Sequence, residues 1–398
     1  MVWLAGMSVA FHSGAQVPPA AGLTLRQAIE AAWERSPDNP AAAGRLRRAE
    51  ADRETATAPW AASPALELAT RQGRAQPEGS SREHEVGVTW PLWLPGQRTA
   101  REAAADAEVL AAGKAIRAAR LKVAADVREA QVALLEQEAE IREAESQQRT
   151  LQSVAEDVER RVGAGDLARV DAMAARAELL AVGNTLRQAR QRLREAQLRW
   201  SALTGIATAP PPHPWQPPTA SAEEHPELAL AVSNLAAARS RLAAVERSRR
   251  DPPEVGVRLR RETAPLGVGS ENSLGVSLRV PFATSSRNQP LLAAALADVE
   301  QAQVQEQRVR ERLALDTEAA RAAVTTTDEQ LEAERARATL LRERATLLER
   351  SFRAGETSLP ETLRALALAT QAEAAVQRQQ AAQLRAQARL DQILGRLP

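Results

Sequence analysis

Few residues in this chain could carry chemistry, and their spacing rules most chemistries out. There is no cysteine, so disulfides, thiolate metal sites and a lipid-accepting thiol are all excluded. His12, His84, His213 and His225 are scattered and show no ligand spacing, so no metal site is expected. No glycine-rich phosphate loop is present, and no carboxylate pair stands apart from helical charge patterns. The inventory predicts a protein that is not an enzyme and holds no cofactor. What remains is a pair of placed acids. Asp171 follows Gly165 and Glu361 follows Gly355 by the same six positions. On a helix that interval is about 600° of turn, which sets both acids on equivalent faces. The ordinary role of such first-turn acids is to complement the helix dipole.

These residues are held by unusually long elements. The alternating run Val86-Gly87-Val88-Thr89-Trp90 ends at Pro91, and Gln97 to Val162 then contains no proline and only Gly113. Period-2 alternation marks a strand, and the apolar spacing after it is helical. A helix of that length reaches ~100 Å at ~1.5 Å per residue, too long for an ordinary globular domain. Val109, Ile116 and Val123 are spaced by seven, as are Val127, Leu134 and Ile141, which is a coiled-coil register.

The unit occurs twice. Shifting the chain by 190 positions lays Pro91 on Pro281, Gly165 on Gly355, and Leu203-Thr204-Gly205 on Ile393-Leu394-Gly395. Such self-similarity predicts two structural repeats in one elongated body. The expected organisation is a signal-like or disordered N-terminus over 1–22, a first repeat over 23–205, a Pro-rich linker over 206–224 and a second repeat over 225–398. Within 1–22, the apolar stretch Val2–Phe11 precedes a small-x-small pattern at Ser13-Gly14-Ala15.

Composition agrees with this body plan. Hydrophobic residues are 44%, largely alanine, while aromatics are 3%, which suits helices packed closely through small side chains. The net charge of +1 excludes the strong basic field of a nucleic-acid binder. Apart from Lys114 and Lys122 every cation is arginine, mixed with 51 acids along helical faces. No stretch reaches the ~20 apolar residues of a membrane helix.

In order, Thr24 caps a first helix, a second follows Asn39-Pro40 to about Ala58, and Ala65–Gly73 is a strand. The loop Arg74–Arg82 leads into the strand ending at Pro91, and the returning helix spans Asp166 to Leu203. The second half reads as helix Pro226–Arg250, strand Glu254–Arg261, loop Glu262–Asn272 and a strand over Leu274, Val276, Leu278, Val280 and Phe282. The proline-free run Leu291–Arg353 follows, with Val324 and Leu331, and Leu341 and Leu348, each seven apart; Pro360–Leu394 returns.

Each strand has about the length that crosses a bilayer when tilted, ~9–11 residues. Aliphatic side chains occupy one face, and Gly, Ser, Arg or Glu the other, the lipid-out, lumen-in alternation of an outer-membrane barrel. Four strands cannot close such a barrel, so several chains must share it. A soluble periplasmic coiled-coil scaffold without channel activity is the alternative, because its heptads would look much the same.

The doubled order of helix, hairpin, very long helix, glycine break and returning helix resembles the TolC-like outer-membrane factors of tripartite efflux systems. Two motifs carry the resemblance: the junction Gly87-Val88-Thr89-Trp90-Pro91-Leu92-Trp93-Leu94-Pro95-Gly96-Gln97-Arg98, and the hairpin Arg161-Val162-Gly163-Ala164-Gly165-Asp166-Leu167-Ala168-Arg169-Val170-Asp171. The junction is similar to the cation-efflux branch. The resemblance implies a mainly α protein with a small β part. A homotrimer would build an α-barrel from coiled-coil hairpins and a shared 12-stranded β-barrel from four strands per chain.

It also implies an exit duct in the outer membrane, extending into the periplasm. Such a duct would pass small solutes or metal cations from an inner-membrane pump and a periplasmic adaptor. Outer-membrane lipid would be a partner and nucleic acid would not. Gly163, Gly165, Asp166, Gly355 and Glu356 match the tips that meet the adaptor. Glu361 matches the acids of the periplasmic aperture, with Asp171 its counterpart and Arg364 standing where some relatives carry a second acid. This chain departs from the family pattern in lacking tyrosine, which leaves an aromatic girdle to Trp60, Trp90, Trp93 and Phe282.

Overall fold

The computed structural model describes residues 23–75, 79–211, 215, 225–263, 269–282 and 284–397. The signal-like segment and most of the Pro-rich linker therefore lie outside the described residues. The element order is α1 (Leu25–Arg35), α2 (Asp38–Thr57), β1 (Ala65–Ala75), β2 (Gly79–Pro91), α3 (Gln97–Ala164) and α4 (Arg169–Thr204). It continues with α5 (Pro226–Arg247), β3 (Glu254–Thr263), β4 (Ser270–Arg279), α6 (Ser285–Arg353) and α7 (Leu359–Ile393). The body is mainly helical with one small sheet, as expected.

Local signals account for most boundaries. Thr24 accepts from the Gln27 amide while the Gln27 side chain accepts from the Thr24 amide, closing a capping box on α1. The landmarks paired by the 190-residue shift share one backbone state. Gly165 and Gly355 have φ of 89° and 80°, and Gly205 and Gly395 have 73° and 71°. At both hairpin tips the bonds are those of a Schellman motif: Gly165 N to Val162 O and Asp166 N to Arg161 O, matched by Gly355 N to Phe352 O and Glu356 N to Ser351 O. A left-handed residue is needed there, and glycine takes it without a Cβ clash.

Several expected boundaries are corrected. Both hairpins are longer than their polarity suggested, because ladder bonds run on into polar residues: Gly73 pairs with Ser81, Ala75 with Gly79, and Thr263 with Ser270. The loops expected at Arg74–Arg82 and Glu262–Asn272 shrink accordingly. β4 ends at Arg279, short of Val280 and Phe282. α4 starts at Arg169 rather than Asp166, since Asp166 belongs to the glycine turn. α5 stops at Arg247, three residues early. α6 begins at Ser285 and takes Pro290 within its opening turns.

The strands form one antiparallel sheet in the order β1-β2-β3-β4, so the two hairpins are joined through β2 and β3. Where the chain leaves the sheet, the Pro-Gly-Gln-Arg turn is a weld. Gly96 adopts φ 73°, and Gln97, only 1% exposed, accepts from the Leu94 amide and donates to Ser248 Oγ. Arg98 donates to Thr57 O and Trp93 Nε1 to Ala58 O, fixing the end of α2. The second half makes the equivalent joint with other residues, as Arg287 forks onto Asp251 and Asn288 donates to Arg249 O.

The heptad positions seat the helices. Val123, Val127 and Leu134 are buried, as are Val324 and Leu331. α3 packs on α1, α2, α4, α5 and α7, whereas α6 packs mainly on α5 and α7. By length and composition α5 is apolar enough to cross a membrane, which the residue pattern alone did not suggest. It lies between α3 and α6, burying Ala229, Ala231, Ala237 and Ala238. α1, α2, α3 and α4 share a core around Ile29, Trp33, Val127 and Trp200.

Beside that core α7 is locked to α3 by a buried cation. Arg128, 6% exposed, donates to Gln392 Oε1 at 2.7 Å and to Arg396 O at 2.6 Å. Gln392 Nε2 returns a bond to Leu121 O at 2.9 Å. Burial lowers the Arg128 pKa, against the pull of Asp391; burial raises that of Asp391, against Arg128 and Arg396. Removing the guanidinium takes its hydrogen bonds away from the Gln392 side chain and from the Arg396 carbonyl just beyond α7. Arg128→Ala is expected to lower the stability by about 3–5 kcal/mol, the loss of two hydrogen bonds from a charged group at ~1.5–3 kcal/mol each. Denaturant unfolding of the purified protein measures it, and a loss under about 1 kcal/mol, the worth of an exposed pair, rejects this account of the lock.

Candidate functional site

The register sorts the sheet into two chemically opposite faces. On one face stand Glu67, Ala69 and Arg71 of β1, Glu83, Glu85, Gly87 and Thr89 of β2, Gly256, Arg258, Arg260 and Glu262 of β3, and Ser273, Gly275 and Ser277 of β4. On the other stand Leu66 and Leu68, Val86 and Val88, Val255, Val257 and Leu259, and Leu274, Val276 and Leu278. Along β2 and β3 the polar-face residues are the more covered and the aliphatic ones the more open. Leu274, Val276 and Leu278 are 72%, 76% and 67% exposed. That is inverted for a soluble sheet, whose aliphatic face would seek a core.

Charges on the polar face satisfy one another. Arg258 lies 3.4 Å from Glu85 and 4.0 Å from Glu67, and Arg260 lies 2.9 Å from Glu83 and 2.8 Å from Glu262. The glycines give these side chains room: a Cβ on Gly87 would stand 3.0 Å from Arg258 Cγ, and one on Gly256 2.6 Å from Ser277 Oγ. From Leu274 to Leu278 the exposed apolar file of β4 covers about 14 Å of backbone at ~3.4 Å per residue, within the ~25 Å height of the apolar band of membrane barrels. At its helix-proximal end Trp60 and Trp90 have ring centroids 6.4 Å apart, and Phe282 is 89% exposed. Trp93 does not join them, because it is half-buried in the junction beneath Arg101.

At the far end of the long helices the two tips come together. Val154, Val158 and Ala175 of the first hairpin share a core with Ala345, Phe352, Leu359 and Leu366 of the second. Arg161 crosses between them, donating to Phe352 O at 3.1 Å and Arg353 O at 2.9 Å while its guanidinium covers the Phe352 ring. Asp157 holds the same guanidinium at 3.1 Å. Gly163, Gly165, Asp166, Gly355 and Glu356 are all exposed here, and a Cβ on Gly163, Gly165 or Gly355 would meet nothing within 4 Å.

The two placed acids are not equivalent. Asp171 is half-buried, and its Oδ2 accepts the Ala168 amide at 3.2 Å, so it serves the start of α4. Glu361 is exposed and borders a shallow groove with Leu340, Glu343, Arg344, Leu347 and Leu348. Arg364 is exposed three residues on, and among the described residues it makes no ion pair with Glu361 within the chain.

Sequence reasoning missed Arg161 and a second bridge higher in the hairpins. There Arg342 of α6 pairs with Glu373 of α7, and Glu143 of α3 faces the pair. Burial, then the Glu373 charge and a hydrogen bond to Glu373, push the Glu143 carboxyl above its ordinary value, with Arg342 opposing. Nothing in the heptad pattern marks these residues, because a single helical face does not reveal which charge opposes it.

Comparison with known proteins adds a family and a fold. The profile of the family described as "Outer membrane efflux protein" matches residues 28–206 and again 218–396. Curated protein sequences return no match. Among solved structures, the outer membrane protein VceC from Vibrio cholerae superposes with TM-score 0.75 at 16% identity, over 93% of this chain and 96% of that one. CusC, described for folding and transmembrane channel formation, gives 0.76 at 17% identity, over 93% and 92%. The open state of the MtrE outer membrane channel of Neisseria gonorrhoeae gives 0.72 at 18%, over 93% and 88%. At such identities the likeness speaks for the fold.

The Glu143 carboxyl makes a pH-dependent prediction. Its pKa is raised in the folded state, so its favourable contribution is complete below the unfolded value and is lost as pH rises through the folded one. Glu143→Gln is therefore expected to melt higher than the parent at neutral pH, with the gain vanishing below about pH 4.3. Melting curves across that range test it, and a variant less stable at neutral pH overturns the assignment.

Proposed function

The chain belongs to the outer membrane efflux protein family, and we propose that three copies of it close one continuous conduit that empties an inner-membrane pump through a periplasmic adaptor. The protein is an outer-membrane efflux channel, with its strands in the outer membrane and its helices in the periplasm. The soluble scaffold reading has no support, and the exposed aliphatic face of the sheet speaks against it.

The observation that carries the shared conduit is the pair of open edges. β1 and β4 each have one partner, so each presents a row of unpaired amides and carbonyls beside an apolar band. In hydrocarbon that is untenable, and β4 of one copy joining β1 of the next removes it. Unpartnered apolar residues continue down the helices: Met173 and Leu180 on α4, and Leu340 and Leu347 on α6, each pair seven apart and all more than half exposed. A neighbouring copy covers them in this reading. The two halves then act as equivalent stretches of wall, with 23–205 and 225–398 as repeats and 206–224 as their linker.

Solute moves through the conduit without bond making or breaking. The paired charges of the barrel face give a hydrated wall without a strong binding site. At the other end the tips Gly163, Gly165, Asp166, Gly355 and Glu356 present backbone to the adaptor. Three copies of Glu361 and Arg364 form alternating charged rings at the aperture. The chain's resemblance to the cation-efflux branch favours metal cations as cargo, and a ring of carboxylates suits them.

The purified protein is expected to run as a homotrimer in detergent and to form channels in planar bilayers. Glu361→Ala is expected to raise single-channel conductance and lower cation preference. Asp171→Ala should change conductance less, since its carboxylate is engaged with the Ala168 amide. Unchanged conductance and selectivity in Glu361→Ala places that acid off the pore. Recovery of the mature chain wholly in the soluble fraction sinks the channel reading itself.

At the tips, Gly165→Trp and Gly355→Trp meet no neighbour within the chain but force a side chain onto a left-handed residue, a strain of about 1–2 kcal/mol. Both variants are expected to reach the outer membrane and to lose efflux. Normal efflux in both would falsify the adaptor contact.

A further inference from the structure

The apolar band on the sheet ends abruptly. Crossing the sheet at equal height, its last aliphatic row is Leu68, Val86, Leu259 and Leu274. The next outward row is Thr70, His84, Arg261 and Asn272, and the one beyond holds Gln72, Arg82, Thr263 and Ser270. These rows lie towards the hairpin turns, at the end of the sheet remote from the helices. With the helices in the periplasm, that end faces the outer leaflet.

Acids are confined to one face of the sheet, while arginines stand on both. Every strand acid, namely Glu67, Glu83, Glu85, Glu254, Glu262 and Glu271, stands on the polar inner face. In these two rows the outward face carries no acid and two arginines, Arg82 and Arg261. Inward Arg258 and Arg260 each have carboxylates within 4.0 Å. Arg82 and Arg261 are exposed, and among the described residues neither has an ion pair or a side-chain hydrogen bond. They are also diagonal neighbours, because Arg82 pairs with Thr263 and Arg261 lies two residues before it. Diagonal neighbours are about 7–8 Å apart, close enough for two guanidinium forks to grip one phosphate. Two like charges at that spacing, with no counter-charge among the described residues, repel one another, and an anion arriving from outside relieves them.

We propose that Arg82 and Arg261 form a binding site for the phosphate groups of outer-leaflet lipid headgroups, repeated around the barrel. The site rests on the outer-membrane reading and adds a specific ligand to it. Aliphatic rows immediately below take the acyl chains, while the two forks hold the phosphate at the headgroup level. His84 stands beside them in register with Arg261, its Nδ1 3.3 Å from Thr70 Oγ1. The site commits to a lipid rather than a soluble anion because one wall of it is the apolar band itself.

The test uses the full-length protein in detergent, with bisphosphorylated lipid A or the same lipid dephosphorylated, and bound lipid counted by native mass spectrometry. The parent protein is expected to retain the phosphorylated lipid at least about tenfold more strongly, as loss of charge-assisted bonds implies. Arg82→Gln with Arg261→Gln should abolish that preference, and Arg82→Lys with Arg261→Lys should keep much of it. Inorganic phosphate at equal concentration should displace nothing. Equal retention of both lipids by the parent, an undiminished preference in the glutamine variant, or displacement by inorganic phosphate overturns the proposal. Insertion of the parent into lipid vesicles is measured alongside. Failure to insert counts against the channel, whereas insertion without phosphate preference removes the headgroup site alone.

Discussion

A backbone amide or carbonyl exposed to hydrocarbon must find a partner, and much of this protein follows from that constraint. One chain supplies a sheet of four strands with an open edge on either side. Inside the sheet every requirement is met, down to the polar ends of the hairpins, where Ala75 still pairs with Gly79 and Thr263 with Ser270. At β1 and β4 the proposed pairing with another copy would meet it. The same closure explains why aliphatic residues point away from the chain's own mass, and why Arg258 and Arg260 are matched to glutamates on the inner face. Soluble sheets hide their apolar side; this one turns it outward.

The proposed shared barrel also needs its strands to be held at a fixed angle to the helices below. The junction residues do this with different chemistry in the two halves. Gly96, Gln97 and Arg98 use a left-handed turn, a buried amide and a guanidinium to tie β2, α2 and the end of α5 together. Arg287 and Asn288 reach Asp251 and Arg249 instead, and the Asp251 carboxyl is held below its usual value by Arg287. The repeats are thus alike in what is joined and unlike in how. The Pro-Gly-Gln-Arg motif, which carries the resemblance to the cation-efflux branch, acts within the chain as a mechanical part.

The two halves differ structurally at the tips. The glycine turns are the same bond for bond, yet Asp171 is occupied with its own helix and Glu361 is exposed. Arg161 ties the first hairpin to the last carbonyls of α6 within a copy. Glu143, Glu373 and Arg342 add a second tie between the same hairpins.

Much of this was legible in the residues alone, because it depends on local periods. Alternation fixes which strand residues share a face, seven-residue spacing fixes a helix stripe, and glycine after a long helix marks a left-handed cap. The doubled landmarks disclosed the repeat, and Thr24 disclosed the start of α1. Tertiary structure alone decided which charges meet. Arg128 finds Gln392 and Arg396, and Arg161 finds Phe352, across separations of 191 to 268 residues. With arginines and acids on every helical face, the sequence holds many equivalent partners for each. Only packing brings one of them within hydrogen-bond distance. The same holds for the outward arginines. Sequence makes Arg82 and Arg261 ordinary polar residues near a turn, while the β2–β3 register sets them side by side with no acid in their rows.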